Sequence, residues 1–327
     1  MAWLPARCAF LALALIGLNA PVRAQSFPSK NVTIVVSLAA GTGMDVLVRL
    51  YGEKLSVALG KPVIVENKPG ASTMLAANQV ATSQPDGHTL VVLTSSALAI
   101  NPTLYKQINY DPNRDFIPIS LYVKSPFILV TNPALPVHTV PELLKFAKQS
   151  NPPLNYASVG AGGLQHLSME FTKARFGLEM THVPYRSTGQ SVTDLAAGHV
   201  ALGFVEAGAS IPLIKDGRLR ALAVSSSTRL PLLPDVPPFS EASGAADYEA
   251  VSWHVLLAPA KTPKEIVDRL HDEMKKIMSD PDMKERTANI GLIPFDTAPV
   301  AAIADYIKSE QAKWGALVEA LGLKGTQ

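Results

Sequence analysis

The sequence predicts an α/β fold of two lobes, each a mainly parallel sheet flanked by helices, with a ligand cleft between the lobes. Three observations carry this expectation. Short apolar runs alternate with helical patterns along most of the 327 residues, the pattern of parallel sheets crossed by helices. Two stretches, Ser37-Leu38-Ala39-Ala40-Gly41-Thr42-Gly43-Met44-Asp45 and Ser158-Val159-Gly160-Ala161-Gly162-Gly163-Leu164-Gln165-His166, share one layout: a serine after an apolar run, a shared glycine position, then a polar group eight residues beyond the serine. A chain of this length also usually divides into two domains.

In chain order, Val32–Val36 is a buried strand, and Val46–Leu59 an amphipathic helix closed by Gly60. The strand Pro62–Glu66 and the turn Asn67–Thr73 lead to a helix from Met74 to Thr82, with Ser72 or Thr73 as its N-cap. Thr89–Leu93 is a third strand, ending at Thr94-Ser95-Ser96. Ligands of parallel sheets sit beyond the carboxyl ends of the strands, the edge that Gly41–Met44, Ser72-Thr73 and Thr94-Ser95-Ser96 occupy, with Ser95 taken as the contact among the last three.

Phe116–Val123 and Phe127–Val130 are strands on either side of Lys124-Ser125-Pro126, a crossing point. A second set follows: helix Val140–Gln149, strand Leu154–Ala157, helix Leu167–Phe176, strand Thr181–Val183, helix Ser191–Ala197 and strands Val200–Val205 and Leu219–Val224. Tyr248–Leu257 is the return crossing. The proline-started helices Pro263–Met278, Pro281–Ile290 and Pro299–Leu321 are expected to pack back on the first lobe. The predicted division is therefore residues 25–125 plus 247–327 for one lobe and 126–246 for the other.

Residues 1–24 read as a secretory signal peptide: a basic start, the apolar run Cys8–Leu18, and Val22-Arg23-Ala24 at the cleavage site. The single cysteine, Cys8, lies inside it, so the processed chain is expected to carry no disulfide and no thiolate metal site. Losing Arg7 and Arg23 leaves 27 basic against 27 acidic residues from totals of 29 and 27. That balance argues against nucleic acid or an anionic membrane as partner. No later run is long enough to span a bilayer.

The chemistry lies in the two repeated loops. A strand that enters a helix through small residues leaves the amides of the first helical turn unpaired, where the helix dipole favours an anion. Each loop is therefore a candidate anion cradle. Gly41-x-Gly43 is no dinucleotide fingerprint, because the third glycine would fall at Val46. Asp45 is expected to cap its helix. His166 and Glu170 have a metal-compatible helical spacing, but no third ligand stands at a recognisable distance. Neither cofactor nor metal is expected. Gly-x-Ser-x-Gly, Ser-x-x-Lys and His-Glu-x-x-His are all absent, which leaves Ser158 with His166 as the nearest approach to a hydrolase. Trp253 is expected to pack at the crossing, or to stack on an aromatic ligand if it reaches the cleft.

At this point the chain resembles the solute-binding proteins of tripartite tricarboxylate transporters, the Bug family. The resemblance rests on Phe27-Pro28-Ser29-Lys30, the Ala39-Ala40-Gly41 loop with Asp45, Val65 to Ala71, Pro85-Asp86-Gly87, Asn155 to Leu167, His182-Val183-Pro184-Tyr185, Asp194 to Gly198, Gly217 to Val224, and Leu233 to Pro237. Ser252-Trp253, Ala258-Pro259 and Thr262-Pro263 complete it, so it spans almost the whole processed chain.

The resemblance implies a type II periplasmic binding-protein fold that closes on a small carboxylate without chemistry, hinged near residues 124–127 and 245–252. It implies contacts from Ala40, Gly41, Thr42, Gly43 and Asp45 in one lobe. From the other it implies Ser158, Gly160, Ala161, Gly162, Gly163, His166 and Tyr185. Leu38 and Met44 are added as apolar contacts, and Arg186 as a carboxylate clamp. The implied partners are the membrane subunits of such a transporter, with the protein itself a monomer in the periplasm. A sensor presenting its bound state to a membrane receptor kinase would need the same fold.

Three departures bear on the ligand. Ser72-Thr73 stands where the family often has Gly-Gly, Arg186-Ser187 where it has Lys-Gly, and Val205-Glu206 where an acidic then a small polar residue is common. Glu206, if it faces the cleft, would repel a second carboxylate or receive an amine. Dicarboxylate, aromatic acid, amino acid and neutral amide all remain open.

Overall fold

The computed structural model describes residues 27–327; the predicted signal peptide at 1–24 lies outside the described residues. The first lobe starts with β1 (Val32–Val36), α1 (Gly43–Leu59), β2 (Val63–Asn67), α2 (Met74–Ala81) and β3 (Thr89–Thr94). A helical turn, Ser96–Ile100, then runs into α3 (Asn101–Leu104), followed by β4 (Phe116–Ser125). The second lobe comprises β5 (Phe127–Thr131), α4 (Val140–Gln149), β6 (Leu154–Ser158), α5 (Leu164–Phe176), β7 (Met180–Pro184) and α6 (Thr188–Ala197). It is completed by β8 (Leu202–Glu206), α7 (Ala207–Lys215), β9 (Arg220–Val224) and α8 (Phe239–Ser243). The chain returns through β10 (Ser252–Pro259), α9 (Lys264–Ser279), α10 (Pro281–Asn289), β11 (Ile293–Pro294) and α11 (Val300–Ala320).

The six-stranded sheet runs β11-β4-β10-β3-β1-β2 and the five-stranded sheet β7-β6-β8-β5-β9. Both are mixed but mainly of one direction: only β10 and β11 in the first and β5 in the second run against the rest. The βα repeats pair in parallel, β3-β1-β2 and β7-β6-β8. The strands that cross between lobes run the other way, β10 against β3 and β4, and β5 against β8 and β9. Direct handover accounts for this: β4 reaches the end of its sheet and only Pro126 separates it from β5, so the chain enters the second sheet without the helix that a parallel connection needs.

The lobes are joined where these strands meet. Phe127 donates its amide to Ser225 Oγ (2.9 Å), and Ser225 and Ala250 are tied by backbone bonds to Phe127 and Ser225. Lys124 and Glu249 form a half-buried ion pair at 3.2 Å beside them. An apolar cluster runs through Val91, Leu93 and Val255 on one side and Leu129, Tyr156 and Phe204 on the other. Trp253 belongs to that cluster: it is fully buried and donates Nε1–H to Glu310 (3.0 Å). It does not reach the cleft, so the ligand-stacking alternative fails.

Candidate functional site: a cleft with two cradles

A cavity of about 870 Å³ lies between the sheets, walled by both lobes. Its two ends are the repeated loops.

In the first, β1 ends at buried Ser37 and the chain turns through Gly41, whose φ of +81° suits glycine, into α1. Thr42, and not Asp45, is the N-cap: its Oγ1 accepts from the Asp45 amide (3.4 Å). The Asp45 carboxylate instead closes the loop, accepting from Gly41 N–H (2.9 Å), Asn67 Nδ2 (2.8 Å) and the Arg49 guanidinium (2.9 Å). Burial raises the Asp45 pKa, but hydrogen bonds from Arg49, Gly41 and Asn67 outweigh it and hold the group below its ordinary value. The amides of Gly43 and Met44, at the start of α1, donate to nothing among the described residues.

The second loop repeats the path. β6 ends at buried Ser158, Gly162 sits at φ +74°, and α5 begins at Leu164. The Gly162 amide donates to His166 Nδ1 (3.0 Å) as Gly41 donates to Asp45. The amides of Leu164 and Gln165 have no partner among the described residues. The His166 ring stacks on His182 at 4.1 Å, and His182 Nε2 bonds Ser158 Oγ at 2.6 Å. Burial pushes both imidazoles down, His182 to about 4 with the neighbouring His166 adding to the effect. Accepting the Gly162 amide requires an unprotonated His166, whereas the Ser158 hydroxyl donates to the Gly160 carbonyl (3.0 Å) and so accepts from His182.

This arrangement corrects the hydrolase reading. Ser158 engages His182 rather than His166, and it is buried off the cavity wall. His166 is committed to the loop amide, and its other nitrogen lies 3.9 Å from Glu170. No cluster of three metal-ligating side chains occurs among the described residues.

Of the residues singled out in the sequence, Leu38, Gly41, Thr42, Gly43, Met44, Ser72, Thr73, Gly162, Gly163, Arg186 and Glu206 line the cavity. Ala40, Asp45, Ser95, Ser158, Gly160, Ala161, His166 and Tyr185 do not. Asp45, Ser158 and His166 act behind the wall, fixing the loops that form it. Ala40 and Ala161 are exposed on the outer side of their turns. Tyr185 turns its hydroxyl to Asp194 (2.9 Å), and Ser95 is buried against Ser252 (3.3 Å). The N-cap expected at Ser72 or Thr73 is also absent. Both residues have positive φ, +47° and +73°, and the Thr73 hydroxyl returns to the Ser72 carbonyl instead of capping α2.

Sequence reasoning placed Thr94 at this edge and Ser37 in the first loop without taking either as a contact, and it missed His254. Thr94 and His254, paired across β3 and β10, line the cavity with Ser37, and Ser37 Oγ, Thr94 Oγ1 and His254 Nδ1 are buried without partners. Burial pushes His254 down to about 3, leaving it a neutral hydrogen-bonding group.

A family model described as the tripartite tricarboxylate transporter family receptor matches residues 47–323. The chain belongs to this family. It is similar to the protein BugT of Bordetella pertussis, 31% identical over 313 residues, covering 95% of each chain. Among solved structures it is similar to R. palustris Rpa4515 with adipate, at 33% identity and a TM-score of 0.82, covering 90% of this chain and 98% of that one. It is also similar to MatC from Rhodopseudomonas palustris with bound malate, at 29% identity and a TM-score of 0.77, covering 89% and 100%. The family read from the motifs and the two-lobe α/β fold are those found, and family members of this kind are solute-binding proteins.

Proposed function

We propose that this receptor-family protein is exported to the periplasm, captures a small carboxylate between its lobes and presents it to the membrane subunits of a tripartite tricarboxylate-type transporter. It performs no chemistry on the ligand. The observation that carries the reading is the pairing of two helix-start cradles, each with two unpartnered amides, across one cavity. The relatives bound to adipate and malate support the ligand class. We take residues 25–125 with 247–327, and 126–246, as the two bodies that close, hinged near 124–127 and 245–252, where the crossing strands are bonded to one another.

The magnitudes agree. Three charge-assisted hydrogen bonds contribute about 5–9 kcal/mol gross, at about 1.5–3 kcal/mol each. A micromolar affinity needs about 8 kcal/mol net, so the cradles need help from apolar contact, which Leu38, Met44 and Leu292 supply on the cavity wall.

A thermal-shift screen against adipate, malate, citrate, benzoate, aspartate and 6-aminohexanoate tests this reading. Saturation at a hundred times the dissociation constant stabilises the native state by about 2.7 kcal/mol, without turnover of the ligand. Silence across the whole panel would overturn carboxylate capture. Copurification with a membrane kinase instead of transporter subunits would overturn delivery.

A further inference from the structure

Resting on the carboxylate-capture reading, we infer that Glu206 selects the ligand: the cleft is built for a molecule with a carboxylate at one end and a protonated amine facing Glu206, not for a dicarboxylate.

The cavity wall holds two charged side chains among the described residues, Arg186 and Glu206, both from the second lobe. Arg186 is exposed in the loop before α6, on the rim, whereas Glu206 is half-buried at the last position of β8, where the strand turns directly into α7. Register fixes its place, since Glu206 pairs with Phe127, the first residue after the crossing, and Phe127 also lines the cavity. The carboxylate thus sits beside the hinge, on the floor of the cleft.

Nothing among the described residues satisfies it. Among the described residues the Glu206 carboxylate accepts no hydrogen bond and has no cation within 4.0 Å, Arg186 included. The opposite wall offers only neutral groups: Ser37, Thr94 and His254, the last kept uncharged by burial. Burial alone acts on the Glu206 carboxyl, and it raises its pKa. A charge so placed is stabilised by a cation from outside.

The cradles supply amides for one carboxylate, and Arg186 lines the same cavity. A second carboxylate on the ligand would meet Glu206 in the cleft, a like-charge contact that discriminates against it. An ammonium there would gain a charge-assisted bond. With one positive and one negative side chain on its wall, the cavity complements a zwitterion.

Calorimetric titration of two matched pairs tests the assignment: aspartate against malate, which differ by an ammonium for a hydroxyl, and 6-aminohexanoate against adipate, of equal chain length. The native protein is expected to bind the amine-bearing member of at least one pair tenfold or more tighter than its partner. Glu206→Gln should shrink that ratio at least tenfold, chiefly by weakening the amine-bearing ligand, and Glu206→Asp should retain the preference at lower affinity. Melting curves of each variant check that the fold is kept. Malate and adipate each binding as tightly as its partner, with both ratios unchanged in Glu206→Gln, would overturn the assignment and leave carboxylate capture standing. Failure of all four probes to bind either protein would overturn both.

Discussion

The two cradles follow one backbone path and are closed by different chemistry. In each, a glycine at positive φ, Gly41 or Gly162, donates its amide to a side chain four residues on. In the first lobe that acceptor is Asp45, an ionised carboxylate held by Arg49 and Asn67. In the second it is His166, a neutral imidazole stacked on a second imidazole. The backbone path makes the anion site, and the acceptor behind it decides under which conditions the site survives. The first loop carries a net-neutral ion pair that persists across the physiological range, whereas the second depends on the His166 ring staying unprotonated.

Removing the acceptors should therefore cost the lobes unequally. Asp45→Ala leaves the Gly41 amide, Asn67 and Arg49 without their shared partner. We expect a loss of about 2–3 kcal/mol in chemical denaturation, with at least a tenfold loss of ligand affinity. His166→Ala removes one neutral hydrogen bond and part of a stack. Its expected cost is about 1–2 kcal/mol. An equal cost at both positions would break the comparison.

A second test addresses closure. Gly162 lies against Leu104 of the first lobe, and a Cβ there would stand 2.3 Å from Leu104 Cδ2. Gly162→Ala adds a strained φ, at about 1–2 kcal/mol, to an interlobe clash. Affinity should fall by more than tenfold, and Leu104→Ala in the same protein should recover part of it. Unchanged binding in the single variant would show that closure does not bring these loops together.

Acid distinguishes the cradles further. His182 and His166 have folded pKa values below the ordinary 6.5, His182 at about 4. The unfolded chain therefore binds more protons than the folded one between those limits. Their stabilisation is complete above about pH 6.5 and is lost as pH falls through the folded values. Melting temperatures measured from pH 7 to 4 should drop, and the decline should flatten in a His166→Asn, His182→Asn variant. Titration of Asp45, whose pKa is below the carboxylate norm, should contribute only at lower pH.

The smallest effect concerns the wall. Ser72 and Thr73 hold positive φ angles that glycine adopts without strain. Thr73→Gly should stabilise the protein by up to about 1 kcal/mol, because relief of strain opposes the added freedom of the unfolded chain. Destabilisation would show that the Thr73 side chain contributes more than its backbone costs.

Much of this was legible in the residues. Serine, glycine and a polar group at fixed spacing located both cradles, because a strand-to-helix turn is a local structure. The strand ends also marked the edge that lines the cavity. The sequence did not reveal what depends on register: His182 lies on β7, 24 residues from Ser158, and only the parallel pairing of β6 with β7 places the ring against the hydroxyl. His254 meets Thr94 through an antiparallel crossing that the expectation of parallel sheets did not contain. The strand end placed Thr94, Ser95 and Ser96 at this edge together; Thr94 and Ser96 line the cavity, whereas Ser95, taken as the contact, is buried against Ser252.

The central claim is that both cradles hold one ligand through backbone amides. Amide chemical shifts of Gly43, Met44, Leu164 and Gln165, followed during titration with the acid that most stabilises the protein, test it directly. All four should move and saturate together with a single dissociation constant. Movement confined to one lobe, or two separate affinities, would contradict it.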